Sequence, residues 1–111
     1  MDESRYRELA ADALRRVVDV FDDLDPDVAD VDTSADVVTI TLRGGAAGKI
    51  VVNTQGAVRQ IWLAGRGRGW HFAYDEASGR WLDDRGTGEE LFTVLRGLVR
   101  DAIGVDPSRG A

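Results

Sequence analysis

Asn53-Thr-Gln-Gly-Ala-Val-Arg-Gln-Ile-Trp-Leu63 is the stretch that decides how this chain folds. It reads as a β-hairpin that turns near Gly56-Ala57, with a second strand over residues 58–63. Side chains alternate across a strand, so Ile61 and Leu63 share one face while Val58, Gln60 and Trp62 share the other. The Ile61/Leu63 face is the apolar one and belongs to the core. Trp62 therefore stands beside Gln60 on a polar, open sheet surface, where a large aromatic ring is suited to contact something other than its own core.

The pattern extends in both directions. Upstream, Val37–Leu42 is a clean strand with Val38, Ile40 and Leu42 inward and Thr39 and Thr41 outward. A Gly-rich turn at 44–48 leads into a strand over Lys49–Asn53. Downstream, Gly65-Arg-Gly-Arg-Gly69 reads as a loop. Trp70, Phe72 and Tyr74 then share one strand face, with His71 and Ala73 on the other, and Ser78-Gly79 turns the chain into Arg80-Trp81-Leu82. Residues 27–32 alternate Asp with small apolar residues and suggest a short acidic edge strand.

Helices bracket these strands. Tyr6, Leu9, Ala10, Ala13, Leu14, Val17, Val20, Phe21 and Leu24 follow helical spacing, which predicts an amphipathic helix over residues 3–24, stopped by Pro26. Thr87-Gly-Glu-Glu90 has the capping-box pattern, with Thr87 as N-cap of a second helix. Leu91, Val94, Leu95, Leu98, Ala102 and Ile103 form its stripe, and Gly104 is its C-cap. Gly97 within it implies close helix packing. Helix, five or six antiparallel strands, helix: the expected fold is an α+β two-layer sandwich, both helices packed on one sheet face and the other face bare. The domain spans residues 1–104, and 105–111 form a loose tail.

Composition narrows the chemistry. A chain of 111 residues, 43% hydrophobic, supports a single core. The lack of cysteine excludes disulfides, thiolate metal sites and a cysteine nucleophile. No signal peptide, transit peptide or long apolar span is legible, so the expected location is the cytoplasm, without membrane contact. Residues 1–36 hold 12 acids and 4 Arg (−8), whereas 37–111 hold 8 acids and 10 Lys/Arg (+2), which sum to the net −6. An acidic end on a slightly basic body argues against nucleic acid and for cations or basic proteins as partners.

Two constellations stand out. Asp19, Asp22, Asp23, Asp25, Asp27, Asp30, Asp32 and Asp36 repel one another, and a di- or trivalent cation relieves that repulsion. Oxygen-only ligands suit hard ions such as Fe(II), Fe(III), Mn, Ca or Mg, held at several weak, exchangeable positions. An EF-hand register fails, because Val28 replaces its glycine and Ser34 its final glutamate. A merely solvating acidic face remains the alternative. The second constellation is the open face: Asn53, Gln60 and Trp62, with Thr39, Thr41 and His71 nearby. It reads either as a protein-binding surface anchored by Trp62 or as a surface where Trp62 tucks under the 65–69 loop. His71 lacks a nucleophile or an orienting carboxylate in any recognisable motif. Residues 65–69 lack the Lys-Ser/Thr ending of a phosphate loop, which leaves Arg66 and Arg68 as candidate partner contacts.

These pieces resemble the frataxins, specifically the short bacterial frataxin homologues, over about residues 2–104. The resemblance is carried by Asp2-Glu-Ser-Arg-Tyr, Arg7-Glu-Leu-Ala, the acids from Asp22-Asp23, Val38-Thr-Ile-Thr, Asn53-x-Gln55 and Gln60-Ile-Trp-Leu-Ala64. Gly69-Trp-His-Phe, Trp81-Leu-Asp-Asp-Arg and Gly88-Glu-Glu-Leu complete it. The resemblance implies the same sandwich and a non-enzymatic role in iron–sulfur cluster assembly. In that role Asp19, Asp22, Asp23, Asp25, Asp27, Asp30 and Asp32 hold Fe(II) or Fe(III) weakly and reversibly, with no tightly held cofactor. Asn53, Gln60 and Trp62 meet a cysteine desulfurase and its iron–sulfur scaffold protein, and the protein itself is a monomer. Val18 stands where bacterial relatives often carry an acid, with Arg15 and Arg16 nearby, and Gly56-Ala57 departs from the family's turn. The enzymatic alternative, a ferroxidase that stores iron, calls for a di-iron site, and no Glu-x-x-His pair is present. The third reading is an acidic interaction module without a metal role.

Overall fold

The computed structural model describes residues 1–43 and 48–107. Most of the Gly-rich turn expected at 44–48, and residues 108–111 of the expected tail, lie outside the described residues.

Helix α1 spans Glu3–Asp19. Asp2 caps it, its carboxylate accepting the Arg5 N–H at 2.7 Å. The buried stripe is Tyr6, Ala10, Ala13 and Val17. The helix is shorter than the expected 3–24. Phe21, Asp22 and Leu24 donate their N–H groups to Val18, Asp19 and Phe21, so tight three-residue turns replace the last helical turn. Asp19, Asp22 and Asp23 explain the early stop: carboxylates at a helix C-terminus oppose its partial negative charge and one another. Phe21 still reaches the core at 4% exposure.

Six strands follow: β1 Ala29–Ser34, β2 Val37–Leu42, β3 Gly48–Gln55, β4 Gln60–Gly65, β5 Arg68–Asp75 and β6 Arg80–Asp83. They pair in chain order as an antiparallel meander, with β1 and β6 as its edges. The acidic edge strand is present, shifted two residues along from the expected 27–32. Val38, Ile40, Leu42, Ile50, Val52, Ile61, Leu63, Trp70, Phe72 and Trp81 are all buried on the helix side. The strand expected at 58–63 begins instead at Gln60, because Gly56–Val58 form a 3₁₀ turn and Arg59 takes a left-handed conformation (φ 52°). Val58 is thus an exposed turn residue and does not share the Trp62 face.

Helix α2 covers Leu91–Ile103 and ends, as expected, at Gly104 in the left-handed conformation. Its N-cap is Glu90 and not Thr87. The Glu90 carboxylate accepts from Phe92 N–H (2.8 Å) and Thr93 N–H (3.0 Å). Gly86 and Gly88 have positive φ, which keeps this segment out of the helical region and delays the start. The Thr87 hydroxyl lies instead 2.9 Å from Asp83 and 3.1 Å from Glu89 carboxylate oxygens. Gly97 has no tight neighbour: an added Cβ would meet only the Arg100 guanidinium at 3.7 Å, so the expected close packing is not why glycine stands there. Both helices cover the same sheet face. Tyr6 meets Trp81 edge-on at 6.2 Å, and the Arg16 guanidinium crosses from α1 to lie 4.3 Å from the Phe92 ring of α2.

Candidate functional site: a bare sheet face and an acidic flank

The pairing of β3, β4 and β5 places Asn53, Trp62 and His71 in one row across the sheet, on the face without helices. The β4–β5 turn sets that row. Gly65 pairs with Arg68, leaving only Arg66 and Gly67 between the strands, both with positive φ (52° and 76°). This is the turn pattern that matches the natural twist of a hairpin. The loop expected at 65–69 is therefore a tight two-residue turn, and it does not cover Trp62.

Trp62 has specific neighbours. The His71 imidazole stacks on the indole, ring centres 4.1 Å apart and planes 12° from parallel. The indole Nε1–H donates to Gln60 Oε1 at 2.8 Å, and Gln60 Nε2 donates to Asp84 Oδ2 at 3.1 Å. That same Asp84 oxygen lies 3.8 Å from His71 Nδ1, and the Asp84 N–H donates to the His71 carbonyl at 2.8 Å. Indole donates only and carboxylate accepts only, so a single orientation of the Gln60 amide serves both. Trp62 is half-buried by these contacts and its outer surface stays open.

Of the remaining candidates, Asn53 is half-buried and donates from Nδ2 to the Thr54 carbonyl at 3.3 Å. Arg68 shares strand parity with Trp70, and its guanidinium lies 4.5 Å from the Trp70 ring; it belongs to the helix side of the sheet and not to the Trp62 face. Arg66 sits at the hairpin tip. Asp84 was not foreseen as a site residue. It lies one position beyond β6, and only the pairing of β5 with β6 brings it to His71.

The acidic residues flank this face at the β1 edge. Asp19 closes α1, Asp22, Asp23, Asp25 and Asp27 occupy the turns behind it, and Asp30 and Asp32 lie on β1. All seven are exposed, and none forms an ion pair with Arg, Lys or His among the described residues. Asp25 accepts from the Asp27 N–H at 2.8 Å and shapes its own turn. Among the described residues no three of His, Cys, Asp or Glu converge closely enough to enclose a metal. The acids form a ridge of separate carboxylates. No helix among the described residues is long and apolar enough to cross a membrane.

Fold and site define a small two-layer αβ sandwich with a bare, aromatic-centred sheet face and an acidic flank. Residues 1–105 match the family model described as the frataxin-like domain. The chain is 39% identical to the iron-sulfur cluster assembly protein CyaY of Azotobacter vinelandii, over 94% of this chain and 91% of that protein. It is 35% identical to the protein of the same name from Pseudomonas aeruginosa, over 96% and 94%. A frataxin structure from Psychromonas ingrahamii superimposes with a TM-score of 0.74 at 28% identity, over 91% of this chain and 90% of that one. The chain belongs to the frataxin-like family, as its sequence resemblance implied.

Proposed function

We propose that this protein is a non-enzymatic, iron-binding regulator of iron–sulfur cluster assembly that acts on a cysteine desulfurase and its scaffold protein in the cytoplasm. The relatives named iron-sulfur cluster assembly proteins support the process, since they match nearly the full chain. The observation that carries the docking reading is Trp62, an aromatic side chain fixed on a sheet face that no helix covers. Tryptophan is among the residues most enriched at the hot spots of protein interfaces.

The ridge has two uses. Its exposed carboxylates are hard oxygen donors suited to Fe(II) or Fe(III), and their separation favours weak, reversible capture over a rigid cage. The same charge attracts a basic surface on the desulfurase. Iron and desulfurase compete for the ridge, so iron loading tunes complex formation.

The test is the rate of cluster formation by a reconstituted desulfurase–scaffold pair, with and without this protein and with Trp62→Ala. A rate change caused by the wild type and lost in the variant supports the reading. An unchanged rate with the wild type overturns it. Anaerobic Fe(II) titration of the wild type against Asp22→Asn/Asp23→Asn tests the ridge separately, and equal uptake by both removes iron from the proposal.

A further inference from the structure

Trp62, Gln60, Asp84 and His71 close into a ring on the bare face. Three links are short: the His71–Trp62 stack at 4.1 Å, the Trp62–Gln60 hydrogen bond at 2.8 Å and the Gln60–Asp84 hydrogen bond at 3.1 Å. The fourth, His71 Nδ1 to Asp84 Oδ2, is longer at 3.8 Å, and it is the link that a proton on the imidazole would strengthen. We propose that His71, anchored by Asp84, is a positioning residue for Trp62, and that protonation of His71 closes this ring and fixes the indole for docking. The proposal rests on the reading that Trp62 is the docking residue, and it adds the regulation of that site.

The physical argument has two parts. A protonated imidazole gains charge attraction to Asp84, which draws the ring toward the carboxylate that Gln60 already holds. It also places a cation over the indole face, where the ring quadrupole attracts it. Both act in one direction: the closed ring is favoured at the acid end of the histidine range and loosens as the proton leaves. Among the described residues Asp84 is the charged group within ion-pair reach of His71. The β4 side contributes only the neutral Gln60 and Trp62, and β3 contributes Asn53. Arg85 lies beyond Asp84, its Nη2 3.5 Å from the Gly69 carbonyl and its Nε 3.5 Å from Asp83. Asp75 and Arg80, paired with each other across β5 and β6, are the next charges along this face.

The experiment follows the Trp62 indole N–H by NMR in the isolated protein from about pH 5 to about pH 8, the window in which histidine changes charge. Trp70 and Trp81 serve as internal controls. The Trp62 signal is expected to move in one step that tracks the His71 ring protons. The step should vanish in His71→Phe, which keeps a stacked ring without the charge. It should shrink by more than half in Asp84→Asn, which keeps an acceptor for Gln60 but removes the anion. A Trp62 signal that stays flat while His71 titrates, or that moves equally in His71→Phe, overturns the proposal. A second arm measures binding to the desulfurase–scaffold pair, with His71→Phe correcting for titration of the partners. Wild-type affinity relative to this variant should fall roughly two- to fivefold between about pH 6 and about pH 8. If Trp62→Ala binds as tightly as wild type, the docking reading fails while the titration in the isolated protein still judges the ring.

Discussion

The phenol of Tyr6 donates a 2.7 Å hydrogen bond to the main-chain carbonyl of Gln60. Tyr6 is buried in α1, and Gln60 opens β4 with its side chain on the bare face. The helix layer thereby holds the backbone of the residue that organises Trp62 on the opposite side of the sheet. Tyr6→Phe should destabilise the protein by about 0.5–1.5 kcal/mol, the usual net value of one hydrogen bond. Urea unfolding checks this, and the Trp62 indole signal should broaden in the same variant. A variant with unchanged midpoint and unchanged indole signal would show that the bond holds nothing in place.

The observed cap of α2 separates two substitutions that the sequence pattern would rank the other way. Glu90→Ala removes acceptors for two helix N–H groups and should cost about 1 kcal/mol. Thr87→Val leaves those bonds intact and removes the hydroxyl's bonds to the buried Asp83, to the Glu89 carboxylate and to the Glu89 N–H. Amide exchange at Phe92 and Thr93 should quicken in Glu90→Ala and not in Thr87→Val; the reverse would restore Thr87 as the cap.

Two exposed ion pairs contribute to the acid limb of stability. The hydrogen bonds from Arg7 to Glu3 and from Arg5 to Glu76, each 2.6 Å, hold both carboxyls below the ordinary value of 4.5. Because the folded values are the lower ones, the stabilisation is present above the ordinary value and disappears as pH falls through the depressed range. Glu76→Gln should therefore flatten the fall in the urea midpoint below about pH 4.5 and leave its pH dependence near neutrality unchanged. Parallel acid limbs for the variant and the wild type would refute this account.

Asp22 and Asp23 are exposed in the turns beyond α1, and their carboxylates make no ion pair among the described residues. Charge reversal to Lys at both should change stability by no more than about 0.5 kcal/mol per site. The same change should abolish salt-sensitive binding to the desulfurase. Circular dichroism melting and a pull-down at low and high salt provide the two readouts. Retained binding at low salt would remove the ridge from that interface.

Periodicity revealed the layers because each face of the sheet is either covered or bare. Val38, Ile40, Ile61, Leu63 and Phe72 announce the core by simple alternation. Boundaries were less legible. The end of α1 depends on repulsion among Asp19, Asp22 and Asp23, which apolar spacing does not register, and the start of α2 depends on two glycines with positive φ. Trp62 and Gln60 could be placed on the open face from parity alone. Their ring with His71 and Asp84 could not, since it joins three segments whose pairing register local pattern does not supply. Arg68 shows the reverse: a residue grouped with the site by its neighbours in sequence belongs, by strand parity, to the other face.

Arg66 and Gly67 fill the β4–β5 turn with no residue to spare. This makes the binding surface a matter of counting. Add one residue within β5 ahead of His71, and alternation sends the imidazole into the core and an apolar ring out to solvent. Lengthen the turn itself, and the two strands lose the constraint that sets Trp62 opposite His71. Most surface loops absorb insertions during descent; this one transmits them straight to the surface the protein presents. Keeping this surface therefore means keeping the hairpin's length.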